Sequence, residues 1–566
     1  VKLSRRDLMR AGLLGGGVAA AAVNGVALPG SSRAAVAART TLTRTLQPGP
    51  PNALGYSKIV QGPGEVRLVR TDLGVAAQSG RDTRRVGLQA FVQFSDMHVV
   101  DHQSPARVEW LDRFETPGLL SSSYRPQEML TAHVADAMVQ AVNAQKKGPV
   151  TGLDFAFTIE TGDNSDNCQY NETRWYIDIM DGGSVRPDSG KLTTYEGVMD
   201  NNKTYYDTDY WHPHPVPLKE KADKYKTEHG FPTVNNLLNA CRRPFTAAGL
   251  DIPWYSVFGN HDGLVQGNFP HTLQLNTLAV SALKVISPPV GLSDTEVIDA
   301  LTAGDVLGLV GDLSVSPTVR LVTRDKNRHN LTRKEIVEEH FVTTGLPAGH
   351  GFTQANVDDG TAYYYFDEGT IRHVVMDSVN PNGYADGSLD GEQFTWLKAT
   401  IEAATGKAVI VYSHHTSSSM SNPLILTGGD PQLPRVLGGD VVDYLLTQQH
   451  VIAWVNGHTH VNKITAHPNA AGTGGFWEIN TASHIDYPQQ ARIIEVVDNA
   501  DGTWSIMTTV LDHGGPLDFN GRIGNTLVLA SLSRELSVND PQNNLAASTG
   551  SPLDRNTELL IDNPLA

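Results

Sequence analysis

The chain has 566 residues, 40% of them hydrophobic, and a formal net charge of −17 at pH 7. That acidic balance argues against a nucleic-acid binder, which carries a basic face, and the length exceeds one ordinary domain, so a core with long insertions is expected. Only two cysteines, Cys168 and Cys241, are present, which excludes a disulfide framework and a cysteine-rich zinc module.

Residues 1–37 read as an export signal. Ser4-Arg5-Arg6-Asp7-Leu8-Met9 is a twin-arginine signature, a Gly/Ala/Leu/Val run follows, and Ala35-Val36-Ala37 suits cleavage. The expectation is passage through the twin-arginine export machinery to an extracellular, periplasmic or cell-wall location. No later uncharged apolar run reaches the roughly 18 residues of a membrane span.

Residues 38–85 form a Gly/Pro-punctuated lead-in with a short strand at 65–70. A core domain is expected over 86–513. Its apolar runs at 86–94, 153–159, 252–258, 371–376, 408–412 and 451–455 read as buried strands. Helical spacing appears at 126–146 (Met129, Val134, Ala137, Met138, Val142), 391–404 and 440–448, and later strands at 476–480, 491–497 and 504–511. Strands alternating with helices predict a layered α/β core. Segments 170–235 and 263–362 are poor in core pattern and read as insertions; 514–566 reads as a C-terminal extension around a helix at 525–536.

Five chemically loaded blocks follow apolar runs: Asp96-Met97-His98, Gly162-Asp163-Asn164-Ser165-Asp166, Gly259-Asn260-His261-Asp262, His414-His415 and Gly457-His458-Thr459-His460. Each alone has an ordinary explanation as a polar turn. Together, at the carboxyl ends of strands, they mark a ligand site. Asp, Asn and His without Cys suit Mn, Fe or Zn. Residues i and i+2 on a strand share a face, so Asp96 with His98, and His458 with His460, are each placed to grip one ion.

The set resembles the calcineurin-like metallophosphoesterase superfamily, whose pattern is D-x-H, G-D-x-x, G-N-H-[DE], a His after a strand, then G-H-x-H. The resemblance implies a four-layer αββα sandwich and two metal ions. Asp96, His98 and His460 hold one ion, Asn260, His414 and His458 the other, and Asp163 bridges them. It implies that a hydroxide shared by the metals attacks phosphorus, with His261 as general acid. Asp166, three residues after Asp163, is expected to pair with His261, and a Tyr at that offset would have indicated a purple acid phosphatase. Asn164, His415 and His484 are candidates for substrate contact. His484 and Asp486 follow a late strand. The insertions are expected to roof the site. A small phosphate monoester is the leading substrate, a small phosphodiester the alternative. A catalytically silent metal- or phosphate-binding protein is the rival from another class.

Overall fold

The computed structural model describes residues 40–113, 123–287, 293, 295–296, 319–425 and 434–566. The export-signal reading of 1–37 lies outside them. Two sheets carry the site. Their strands in chain order are β1 (Leu68–Arg70), β2 (Val86–Phe94), β3 (Thr158–Glu160), β4 (Trp254–Ser256), β5 (Tyr364–Glu368), β6 (Ile371–Val375), β7 (Ala408–Tyr412), β8 (Val451–Asn456), β9 (Lys463–Pro468), β10 (Gly475–Asn480), β11 (Gln490–Asp498), β12 (Thr503–Asp512) and β13 (Thr557–Asp562). The seven-stranded sheet runs β1-β13-β12-β11-β2-β3-β4 and the six-stranded sheet β5-β6-β7-β8-β10-β9. β2, β3 and β4 are mutually parallel, as are β6, β7, β8 and β10, so the functional turns leave from parallel strand ends.

Period-two alternation explains the layering. In β2, Phe91 enters the cluster shared by the two sheets, while Ala90 and Val92 face the helices outside. In β7, Ile410 and Tyr412 point inward, and Val409 and Val411 outward. Helices Thr131–Gln145 and Tyr170–Asp181 cover the seven-stranded sheet through residues such as Met138, Val142 and Ile179. Helices Gly391–Glu402 and Gly438–Leu445 cover the six-stranded sheet with Leu397, Ile401, Val441 and Leu445. Both sheets are thus buried on both faces, giving helix, sheet, sheet, helix. Each fully buried Leu or Ile contributes roughly 1.5–3 kcal/mol. No helix among the described residues is long and apolar enough to cross a membrane.

Two segments differ from the sequence reading. Within 170–235, Tyr195, Tyr210, Trp211, Tyr225 and Phe231 are buried with Leu529, Leu532 and Leu536 of helix Thr526–Ser537. The aromatic residues follow neither helical nor strand period, so pattern reading missed this core. The 514–566 segment is no appendage, because β13 lies inside the seven-stranded sheet between β1 and β12. Cys168 and Cys241 are both free and buried, in different apolar clusters.

Candidate active site

The five blocks converge at the carboxyl ends of the parallel strands. Strand parity is not what aims them: β2 ends at Phe94 and β8 at Asn456, before the pairs begin. Asp96, His98, Asp163, His458 and His460 all have positive φ, between 43° and 71°. Non-glycine residues seldom adopt this conformation, and its clustering is a mark of functional sites.

Asp262 supports the turn that carries Asp163. Its carboxylate accepts backbone N–H bonds from Asp163 (3.0 Å), Asn164 (3.1 Å), Ser165 (2.9 Å) and Gly259 (3.0 Å). Burial, followed by the Asp163 charge, raises its pKa to about 6. The sequence reading left Asp262 without a role. Gly259 serves close approach: a Cβ there would overlap the backbone nitrogen and carboxylate of Asp163. Gly267 has φ +66°, and a Cβ there would collide with the His261 ring. Its carbonyl accepts from Asn260 Nδ2 at 3.0 Å, which turns Asn260 Oδ1 toward His458 Nδ1, 3.2 Å away.

The imidazoles are oriented one by one. His98 Nδ1 donates to Asp166 Oδ1 (3.0 Å), His460 Nδ1 to Asp486 Oδ2 (2.6 Å), and His414 Nδ1 to the Thr161 carbonyl (2.8 Å). Each of these three rings therefore turns its Nε2 inward. His98 Nε2 lies 3.3 Å from His460 Nε2, and His414 Nε2 3.2 Å from His458 Nδ1 and 3.1 Å from Asp163 Oδ2. Facing lone pairs at such distances repel unless a cation or proton lies between them. Among the described residues, Asp96, His98 and His460 form one compact ligand group, and Asp96, Asp163 and His414 another. Burial opposes charge throughout the cluster, yet ion pairing wins at four positions. Asp163, beside His414 and His261, stays well below the carboxylate range, and Asp96, beside His460, falls to about 2. Asp163 and Asp96 raise His414 to about 9, and Asp96 with Asp486 raises His460 to about 10. Such a site favours positive charge. Oxygen and imidazole donors without sulfur fit divalent or trivalent Mn, Fe or Zn.

His261 Nδ1 donates to the backbone carbonyl of Asp166 at 2.8 Å, leaving Nε2 available to the cleft. The Asp166 carboxylate lies within ion-pair distance of His261, 3.6 Å from Nδ1, and takes its hydrogen bonds from His98 and Arg107.

The cleft measures about 320 Å³. His98, Asp163, Asn260, His261, His458 and His460 line it, and Asn164, His415 and His484 do not. Asn164 lies beneath the site against Asp262. His415 is held by Ser378 Oγ at Nδ1 and the Ala385 carbonyl at Nε2, so neither nitrogen is left for a metal or substrate. His484 is fully buried, edge-on to Phe94. Its neighbour Asp486 is the residue that reaches the cleft. Arg125 also lines it, paired with Asp486 through Nε (2.7 Å) and Nη2 (3.0 Å). Neither Arg107 nor Arg125 stands in a motif that could have announced it. Arg174 and Arg492 are used elsewhere: Arg174 on Asp178, and Arg492 fully buried against carbonyls and Asn462. Among the described residues, the cleft lining draws on one insertion and on the C-terminal segment. Asn268 comes from the second insertion, and Asp540, Gln542, Asn543, Asn544, Ala547 and Ser548 come from the C-terminal segment.

Residues 225–462 match the family model described as calcineurin-like phosphoesterase. That match supports a metal-dependent phosphoric ester hydrolase. Asp96, His98 and Asp163 precede the matched residues, and the fold brings them to the phosphoesterase centre. Among solved structures, the chain is similar to a dimetal phosphatase from Danio rerio at 10% identity and a TM-score of 0.32, over 76% of this chain and 100% of that one. No curated protein matches the sequence.

Proposed function

We propose that Asp96, His98 and His460 hold one metal ion, that Asn260, His414 and His458 hold a second, and that Asp163 serves both. The observation that carries this is the close approach of ring nitrogens, His98 Nε2 to His460 Nε2 at 3.3 Å and His414 Nε2 to His458 Nδ1 at 3.2 Å, with His98, His414 and His460 each held by a bond at Nδ1. Two such ions, when bound, supply an activated water and clamp the phosphoryl oxygens. The chain's own contribution is orientation and one proton. With Nδ1 committed to the Asp166 carbonyl, protonated His261 donates from Nε2 to the leaving alkoxide, the task of a general acid.

Cleft charge supports a phosphodiester. Arg125 is the single Lys or Arg among the described lining residues and is already paired with Asp486, while Asp540 adds a carboxyl group. A singly charged diester needs less cationic help than a dianionic monoester. The monoester reading keeps one support: Arg125 itself, close to the metal ligands. The export reading of residues 1–37 would put either substrate outside the cytoplasm. The test is hydrolysis of nitrophenyl phosphate against bis-nitrophenyl phosphate by Mn-loaded protein. The diester should turn over faster. Two bound ions with no turnover of either ester would leave the silent binding protein.

A further inference from the structure

Resting on the phosphoesterase reading, we propose that the C-terminal segment from Asp540 to Ser548 is the wall that recognises the alcohol side of the substrate, and that this alcohol is a small, uncharged polyol of the glycerol or sugar type. The segment reaches the cleft directly. Asp540, Gln542, Asn543, Asn544 and Ser548 line it together with the proposed metal ligands, contributing a carboxyl group, three amides and a hydroxyl. Such groups offer donors and acceptors side by side, as a row of hydroxyls requires.

The wall is firmly anchored. Just before it, Asn539 exchanges two bonds with the backbone of Ser57, at 2.7 and 2.8 Å. Gln542 Nε2 donates to Asp112 at 2.6 Å, and the Ser548 carbonyl accepts from the Asn462 backbone at 3.0 Å. Asn544 Oδ1 takes the Ala547 N–H. Among the described residues, this leaves Gln542 Oε1 and Asn544 Nδ2 with no protein partner, one acceptor and one donor on exposed side chains.

The lining also argues against other alcohols. It contains no Phe, Tyr or Trp among the described residues, so nothing there stacks a nucleobase or cages a quaternary ammonium. Ala385, Val461 and Ala547 are its only aliphatic members, too few for an acyl chain. The volume of about 320 Å³ is at the small end for ligand sites.

The test uses the Mn-loaded protein with three diesters: glycerophosphoglycerol, a dinucleotide and bis-nitrophenyl phosphate. We expect kcat/KM for the glycerol diester to exceed that for the dinucleotide by at least about tenfold, since a site built for hydroxyls discriminates by leaving its polar groups unpaired with the wrong ligand. The double substitution Gln542→Ala with Asn544→Ala should erase most of that ratio, chiefly through KM, with kcat on bis-nitrophenyl phosphate kept and a melting temperature lowered by a few degrees at most for the lost Asp112 bond and helix cap. Equal or better use of the dinucleotide overturns the proposal, and so does a ratio untouched by the double substitution. Turnover of the nitrophenyl diester alone condemns the wall assignment and spares the phosphoesterase reading. No turnover of any diester or of nitrophenyl phosphate condemns both.

Discussion

The two halves of the proposed metal-ligand cluster are backed differently. On one side, His98 and His460 each donate to a carboxylate, and each carboxylate is held by an arginine: Asp166 by Arg107, Asp486 by Arg125. Glu128 joins the two, accepting from Arg107 Nη2 at 2.8 Å and from the Arg125 backbone at 3.0 Å. On the other side, His414 donates to a neutral carbonyl and Asn260 is steered by another. A carboxylate behind an imidazole raises its basicity and fixes its tautomer, whereas a carbonyl mainly does the second. Orientation is thus shared by both halves, and charge reinforcement belongs to one.

Removing the residue common to both halves should have the largest effect. Asp163→Ala should cut metal content below two per chain and turnover by about a thousandfold or more, since breaking a charged buried network is among the costliest changes. Elemental analysis showing two ions at wild-type stoichiometry would end the bridging assignment. His261→Gln removes none of the proposed metal ligands. It should keep both metals and lose about 100- to 10,000-fold in kcat on esters with poor leaving groups, the usual range for a general acid. An equal loss on nitrophenyl esters would deny it that role.

Asp486→Asn addresses the charge-backed half alone. Metal affinity there should weaken by about 10- to 100-fold, the usual cost of losing such a partner, while the Asn260, His414 and His458 half keeps its ion. Calorimetric titration that shows both ions weakened alike would break the comparison.

A histidine outside the cluster sharpens it further. His373 lies between the sheets, with Nδ1 2.8 Å from the Tyr412 hydroxyl and no carboxylate in contact. Burial lowers its pKa to about 3, with Asp367 opposing weakly from a distance. The folded pKa lies below the unfolded 6.5, so the unfolded chain takes up the proton first. The stability that neutral His373 contributes is full above pH 6.5 and declines as pH falls toward 3. About 2 kcal/mol should be lost by pH 5. Urea denaturation at pH 7 and pH 5 should show a smaller loss for His373→Gln than for the parent chain. Identical losses would show that His373 gains a proton without unfolding.

Much of the sandwich was legible because its strands are short, apolar and buried on both faces. Runs at 86–94 and 408–412 match β2 and β7 residue for residue. β13 escaped because six residues in an Asn- and Ser-rich tail carry too little pattern, and only its neighbours make Thr557–Asp562 a strand. The motif residues were legible through their types and order. Arg107, Arg125 and Asp486 were not, or only faintly, since a partner behind a ligand is defined by distance in space.

Residue chemistry at strand ends therefore determined from the sequence alone that this chain gathers oxygen and imidazole groups at one edge of its sheets. Three further features were decided only by tertiary structure: which nitrogen of each histidine is bare, which carboxylate stands behind it, and which distant segment walls the cleft. The physical reason is one of range. Strand and helix periodicities are written within about ten neighbouring residues. The bond from His460 to Asp486 and the wall from Asp540 to Ser548 exist only after separate turns and a C-terminal segment have packed on the same edge of two sheets.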